Sequence, residues 1–136
     1  MASMSVASAF DVRIDRSARQ TVVRLIGELD LATCEHMRQA VADDALWDAP
    51  VVFDLSALKF CDSSGLRELL DLHRRAAARE TPLRLAGVSA EVNRVFELTG
   101  ALQYFDVYPD VAEALADPAQ GSDSGSAGKS ADSPES

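Results

Sequence analysis

The side chains best suited to chemistry lie in one short run, Asp62-Ser63-Ser64-Gly65-Leu66. The run precedes a segment whose apolar spacing predicts a helix. Asp and Ser at a helix N-terminus accept hydrogen bonds from the first backbone N–H groups, which have no partner inside the helix. From the residues alone, the run is either a plain capping turn or a site where a serine hydroxyl is phosphorylated.

A phosphate on this turn would change the surface charge more than the fold. It adds about 1.5 to 2 negative charges and three acceptor oxygens, and a helix N-terminus tolerates an anion. Asp62 is adjacent, and the Glu28-Leu29-Asp30 segment is near if both loops share one sheet edge. Two unit charges about 6 Å apart at an effective dielectric of 20 interact by roughly 3 kcal/mol. That energy is about a hundredfold in affinity, so one hydroxyl can govern an association.

Enzymatic nucleophiles and bases are few in this sequence. No G-x-S-x-G, Walker A or G-x-G-x-x-G motif occurs. Cys34 and His36 are two residues apart on a predicted helix, so they point in different directions. His73 falls near an apolar stripe and is predicted to be structural. Cys61 is predicted to be a small buried residue, since the neighbouring Asp62 would raise its thiol pKa. These residues predict neither a catalytic nor a metal site.

Asp54 follows a short apolar run, where receiver domains carry their phosphoacceptor. That chemistry requires Mg²⁺, an acidic pair after the first strand and a lysine near the last. Here the first strand ends Ile14-Asp15-Arg16, and the only lysines are Lys59 and Lys129. We therefore expect Asp54 to be a strand-end carboxylate bonded to loop amides.

Composition places these residues in an acidic globular protein. The chain has 136 residues, 47% hydrophobic and 26% charged, with a formal net charge of −9. A surface of this sign repels nucleic acid and anionic lipid. The N-terminal segment has no signal-peptide pattern, and no run approaches the roughly 20 apolar residues of a spanning helix. We expect a soluble, cytoplasmic protein with reduced thiols that binds neither nucleic acid nor membranes.

Alternating strand and helix patterns position the Asp62 run. We expect a flexible N-terminus over 1–8, one folded domain over 9–117, and a disordered Gly/Ser-rich tail over 118–136, which lacks Leu, Ile, Val and aromatic residues. The predicted order is β-β-α-β-α-β-α-β-α, an α/β domain with a mixed sheet opened by a hairpin. The predicted strands are 10–14, 21–26, 50–55, 83–87 and 104–108. The predicted helices are 31–42, one following residue 65, one capped by Ser89 and stopped by Gly100, and a short one capped by Asp110.

Several segments together resemble one known family. They are Gly27-Glu28-Leu29-Asp30, Asp54-Leu55, Phe60 to Leu66 with its D-S-S-G-L sequence, and Phe96 to Gly100. The chain is identified by them as resembling the STAS domain (sulfate transporter and anti-sigma factor antagonist), specifically the bacterial anti-sigma factor antagonists. The resemblance covers nearly all of the folded unit, and it departs from many members at Arg67 and Glu68.

The resemblance implies a partner-switching role. Such antagonists bind an anti-sigma factor that is also a serine kinase and thereby free a sigma factor. The kinase phosphorylates the serine after the aspartate, here Ser63, which breaks the complex, and a PP2C-type phosphatase reverses the modification. ATP belongs to the kinase, so this chain needs no cofactor. The implied docking residues are Asp30, Asp62, Ser63, Ser64, Gly65 and Leu66.

Two other functions remain open at this point. The first is an unphosphorylated STAS scaffold or a soluble subunit of a transport complex. The second is a small-ligand sensor, which the absence of a Gly-rich phosphate loop disfavours. Our leading prediction is a phosphorylatable protein-binding switch that is not an enzyme.

Overall fold

The computed structural model describes residues 10–17 and 19–117. The flexible N-terminus predicted for residues 1–8 and the disordered tail predicted for 118–136 lie outside the described residues, so both stay predictions. Within the described part, the element order agrees with the sequence prediction except for two added 3₁₀ helices.

Five strands form one mixed sheet in the order β1-β2-β3-β4-β5. The first two strands pair antiparallel as the predicted hairpin, and every later pair is parallel. The carboxyl ends of β2, β3 and β4 therefore point to one edge of the sheet. The strands are β1 (Phe10–Arg16), β2 (Thr21–Leu29), β3 (Val51–Cys61), β4 (Leu83–Ala86) and β5 (Asp106–Tyr108).

Four α-helices connect or follow these strands, and the predicted caps are present. Ser89 accepts a hydrogen bond from the Val92 N–H, and Asp110 accepts one from the Glu113 N–H. Gly100 ends its helix in the left-handed conformation with φ of 78°, which glycine adopts without a steric penalty. The helices are α1 (Cys34–Ala40), α2 (Ser63–Ala78), α3 (Ala90–Thr99) and α4 (Val111–Ala116), with 3₁₀ helices at Asp44–Asp48 and Ala101–Tyr104.

Alternate residues of the central strand enter two separate cores. Val51 and Phe53 belong to the large cluster that also holds the buried side chains of α1, α2 and α3. Val52 belongs to a small cluster with Ala86 and with Ala114 of α4. Because successive strand residues point to opposite faces, the sheet is covered on both sides, as the PVVFDL run predicted.

Both central strands are longer than the sequence indicated. We expected β2 to stop at Gly27 and β3 to stop at Leu55, but they continue to Leu29 and Cys61. Gly27 has φ of 103°, and the β2–β3 register shifts on either side of it. The bulge lets β2 and β3 stay paired beyond Gly27, although a glycine at this position by itself predicts the end of a strand. Strand pairing outside the hairpin is long-range and leaves little local signal.

Three other expectations were wrong in detail. The first helix begins at Cys34 instead of Leu31, whose side chain is 77% exposed. The last strand begins at Asp106, since the preceding residues to Tyr104 form a 3₁₀ helix. On α2, helical spacing from Leu66 predicts an apolar stripe that includes Ala77, but Ala77 is exposed and Leu72 is buried.

His73 is half-buried on α2 and packs edge-on against Phe105, with ring centroids 5.2 Å apart. Burial lowers the imidazole pKa, although the charge of Asp106 opposes the shift in part. The unfolded chain therefore binds more protons than the folded chain as the pH falls through about 6.5, and the folded state loses stability there. We expect the urea concentration at the unfolding midpoint to decrease when the pH is lowered from 7.5 to 6. In the His73→Leu variant this decrease should be smaller. An unchanged pH slope in the variant would contradict the assignment.

Candidate functional site

The Asp62 run forms the turn between β3 and α2. Strand β3 ends at Cys61 and α2 begins at Ser63, with Asp62 as the N-cap in an extended conformation. The Asp62 carboxylate accepts a 2.9 Å hydrogen bond from the Gly65 N–H, and its carbonyl accepts one of 2.9 Å from the Leu66 N–H. The capping interpretation is thus correct for Asp62, which leaves both serine side chains outside the cap.

The turn is tied to the end of β2. The Asp62 N–H donates a 3.2 Å hydrogen bond to the Leu29 carbonyl, next to the register pair Leu29–Cys61. A Cβ added at Gly65 would lie 2.6 Å from the Leu29 carbonyl oxygen and 2.8 Å from the Leu29 Cγ. Only a residue without a side chain permits this close approach. The two loops therefore share one sheet edge. This is the arrangement in which the charges of Glu28 and Asp30 can act on a phosphate in the Asp62 run.

The two serines differ in exposure. Ser63 is exposed and Ser64 is half-buried, and the Ser63 hydroxyl makes no hydrogen bond within the described part of the chain. Gly65 and Leu66 are buried under the turn. A partner can reach the Ser63 hydroxyl directly. Gly65 and Leu66 are not reachable in this way, and they can affect docking only by fixing the backbone of the turn that carries Ser63.

The loop after β2 is built by Asp30 and Thr33. The Asp30 carboxylate accepts hydrogen bonds from the Thr33 N–H and hydroxyl at 3.1 and 3.2 Å, and the Asp30 N–H donates to the Thr33 hydroxyl oxygen at 2.9 Å. The Thr33 hydroxyl also bonds the Glu28 carbonyl oxygen at 2.9 Å. Its position directly before the predicted helix 31–42 makes Asp30 a candidate N-cap, but the N-cap of α1 is Thr33, and Asp30 caps the preceding turn.

The same edge carries two exposed apolar side chains. Leu31 is 77% exposed and Phe60 is 47% exposed. Phe60 is the register partner of Glu28, and Leu31 follows Asp30 directly. Sequence reasoning missed both residues because it assigned Leu31 to a buried helical stripe and left Phe60 in a loop. Apolar side chains rimmed by carboxylates are typical of a protein interaction surface. We call Glu28, Asp30, Leu31, Phe60, Asp62 and Ser63 the acidic edge.

The two positions that depart from the family pattern have different environments. Glu68 is 13% exposed and receives two hydrogen bonds from the Arg38 guanidinium, at 3.1 and 3.2 Å. This bidentate pair joins α1 to α2 and raises the Arg38 pKa further. Arg67 is exposed and makes no hydrogen bond or ion pair in the described part of the chain.

Neither cysteine has the environment of a nucleophile. Both thiols are free and buried. Burial, followed by the charge of Asp62, raises the pKa of Cys61 to about 12, and burial with the charge of Glu68 raises that of Cys34. A thiol with a raised pKa is protonated at neutral pH and reacts slowly. His36, two residues from Cys34, packs edge-on against Phe10 with centroids 5.4 Å apart.

Asp54 lies inside β3, not at a strand end. Its carboxylate accepts a 3.0 Å hydrogen bond from the Ser56 N–H and a 2.7 Å bond from the Ser56 hydroxyl, and it lies 3.9 Å from the Arg24 guanidinium. The expected strand-end position was wrong, and the amide that bonds Asp54 belongs to the strand and not to a loop. Among residues 10–17 and 19–117, no group of three or more His, Cys, Asp or Glu side chains could hold a metal ion, and no helix could span a membrane.

Comparison with known proteins identifies the class to which this fold and edge belong. The STAS domain family model matches residues 9–114, so the chain belongs to the STAS domain family. It is 29% identical over 97 residues to the anti-sigma F factor antagonist of Paenibacillus polymyxa, covering 69% of this chain and 82% of that protein.

Solved structures of the same class superpose on the described fold. An anti-sigma factor antagonist from Mycobacterium paratuberculosis matches with a TM-score of 0.69 and 29% identity, covering 78% of this chain and 91% of the other. The Bacillus anti-sigma factor antagonist SpoIIAA has been solved in unphosphorylated and phosphorylated forms. The unphosphorylated form matches with a TM-score of 0.64 and 25% identity, covering 77% and 93%. The sequence-based family assignment is confirmed.

Gly65→Ala tests the contact that holds the two loops together. A Gly-to-Ala change inside a helix ordinarily stabilises by up to about 1 kcal/mol, but here the new methyl would meet a backbone carbonyl. We expect a loss of about 1 to 3 kcal/mol in the free energy of unfolding, measured by urea denaturation. Ser64→Ala, in the same turn, is the control and should change stability by about 0.5 kcal/mol or less. A stabilised Gly65→Ala variant would refute the contact.

Proposed function

We propose that this protein is an anti-sigma factor antagonist whose partner is an anti-sigma factor with serine kinase activity. The unphosphorylated acidic edge binds the partner and frees a sigma factor, and phosphorylation of Ser63 ends the association. One observation carries the proposal: the Ser63 hydroxyl is exposed at the start of α2, inside the D-S-S-G-L turn, and it bonds to no group among the described residues. The names of the relatives and the phosphorylated form of SpoIIAA support it.

The fold can carry a phosphate at this position without rearranging. The Ser63 hydroxyl has no hydrogen bond to lose within residues 10–17 and 19–117, and the first N–H groups of α2 favour a nearby anion. The kinase transfers the γ-phosphoryl group of ATP to the Ser63 Oγ, with ADP as the leaving group and release of the hydroxyl proton. The nucleotide is the partner's substrate, so this chain needs no cofactor.

The same phosphate disfavours the docked complex. Asp62 is adjacent, and Glu28 and Asp30 come from the loop bonded to the turn through Leu29. A partner that docks here covers three carboxylates, and a further dianion raises the cost of removing them from water. A PP2C-type phosphatase would hydrolyse the ester and restore binding. We assign both activities to other proteins, the kinase partner and the phosphatase.

Ser63 is the better acceptor of the two neighbouring serines. A kinase must place the hydroxyl in line with the γ-phosphorus of ATP, so the side chain must be reachable. Ser63 is exposed, whereas Ser64 is half-buried against the turn. The cytoplasm, where ATP and sigma factors occur, is the compartment in which we expect the switch to act.

Replacement of Ser63 tests the acceptor. We expect Ser63→Ala to fold, to bind the kinase and to incorporate no phosphate, because the hydroxyl is the only group removed. Ser63→Asp should weaken binding by less than phosphorylation does, since one carboxylate carries less charge than a phosphate dianion. Incubation with the cognate kinase and ATP, followed by peptide mass spectrometry and calorimetric titration, measures both effects. Ser64→Ala is the matched control and should be phosphorylated. Phosphate found only on Ser64 or beyond residue 117 would overturn the assignment.

Two equally exposed leucines test the location of the docking surface. Leu31 on the acidic edge is 77% exposed and Leu98 on α3 is 80% exposed. We expect Leu31→Ser to weaken kinase binding at least tenfold, the loss of roughly 1.4 kcal/mol or more from an apolar anchor. Leu98→Ser should leave the affinity unchanged, as measured by calorimetry. Equal effects of the two substitutions, or a larger effect at Leu98, would move the docking surface away from the acidic edge.

A further inference from the structure

We propose that Arg67 is the phosphate-pairing residue of this switch: its guanidinium binds the phosphate on Ser63 and stabilises the phosphorylated form. The inference rests on the proposed function, because it requires a phosphate on Ser63. It assigns a role to a side chain that neither the cap nor the core uses.

The positions of Ser63 and Arg67 permit the contact. They are four residues apart on α2, so their side chains neighbour each other along one helix face. Both are exposed, and an anion four residues before a cation is the favoured orientation of such a pair. A guanidinium can donate two parallel hydrogen bonds to a phosphate, which a single ammonium donor matches less well.

Arg67 differs from the later arginines of this helical region, which are all paired with carboxylates. Arg74 and Arg75 pair with Asp71, and Arg79, at the end of the helix, pairs with Asp44 and Asp48. Arg67 makes no hydrogen bond or ion pair in the described part of the chain. Its charge is therefore available to a group that the unmodified protein lacks.

The neighbouring serine, Ser64, has a carboxylate one helical turn away where Ser63 has a guanidinium. Glu68 follows Ser64 by four residues and is held in place by Arg38. A phosphate on Ser64 would meet a fixed carboxylate, whereas one on Ser63 meets a free guanidinium. A phosphate is therefore stabilised at Ser63 by a cation and destabilised at Ser64 by an anion. This difference favours Ser63 as the stable phosphorylation site.

Pairing with Arg67 also offsets part of the repulsion within the acidic edge. Asp62, Asp30 and Glu28 all raise the cost of a phosphate dianion, and Glu68 lies on the same helix. Arg67 supplies positive charge from the helix side, away from the β2 loop. The phosphorylated chain keeps its fold. Its docking surface no longer presents an uncharged Ser63 hydroxyl, and the Arg67 guanidinium is occupied by the phosphate.

The test installs phosphoserine at position 63 during translation, so it needs no kinase. Pairing favours the phosphate dianion and lowers its second pKa, which ³¹P NMR titration measures. We expect Arg67→Gln to raise that pKa, a change of about twofold in the acid dissociation constant. Arg94→Gln, which removes an exposed and unpaired arginine from α3, is the matched control and should leave the titration unchanged. Thermal unfolding should show that phosphorylation stabilises the parent protein more than the Arg67→Gln variant.

Three results would overturn the inference. The first is an identical phosphate titration in the parent and Arg67→Gln proteins. The second is a shift caused by Lys59→Gln, which removes an exposed cation three residues before Asp62, and not by Arg67→Gln. The third is a shift of the phosphate titration by Arg94→Gln that equals the shift by Arg67→Gln, which would assign the effect to net charge and not to pairing. None of these depends on whether a kinase modifies Ser63, so the inference and the proposed function can fail separately.

Discussion

The site depends on one close approach between the ends of two parallel strands. The Leu29 carbonyl accepts the Asp62 N–H, and Gly65 lies against that same carbonyl. Because β2 and β3 run parallel and both extend further than their local sequence indicates, their outgoing loops meet at one edge. Without that contact, Asp30, Leu31 and Ser63 would belong to unrelated parts of the surface.

Polar groups at this edge are divided between those used by the fold and those left for a partner. The carboxylates of Asp30 and Asp62 accept backbone N–H groups and fix the two loops. Glu68 is held by Arg38 and joins two helices. The Ser63 hydroxyl and the Arg67 guanidinium have no such bonds to any residue that the structure describes. A side chain that contributes nothing to folding can be modified at little cost to stability, which is the property a reversible switch requires.

Charge sets the character of the surface more than the shape of the fold. The chain carries a formal net charge of −9, and three carboxylates surround the exposed side chains of Leu31 and Phe60. Surfaces of this kind attract a partner whose docking face is basic around an apolar groove, and they give an association that weakens with salt. A phosphate dianion on Ser63, as proposed above, would add negative charge to this same surface.

Sequence patterns determined the elements whose signals are local. The hairpin, the alternation of strand and helix, the caps at Ser89 and Asp110 and the stop at Gly100 depend on residues within a few positions of each other. The family assignment likewise depended on contiguous motifs, among them the D-S-S-G-L turn at the start of α2. These features survive in the structure because neighbouring backbone groups and side chains define them.

Tertiary structure alone decided the features that depend on distant pairing. Strand β3 continues to Cys61 because β2 pairs with it, and Leu31 is exposed because Asp30 and Thr33 form a turn where a longer helix was expected. Glu68 is held in place because Arg38, thirty residues earlier in the chain, packs beside it and donates to its carboxylate, whereas no described carboxylate lies within pairing distance of Arg67. Helical spacing gives the direction of a side chain, but burial and pairing depend on which distant segment packs beside it.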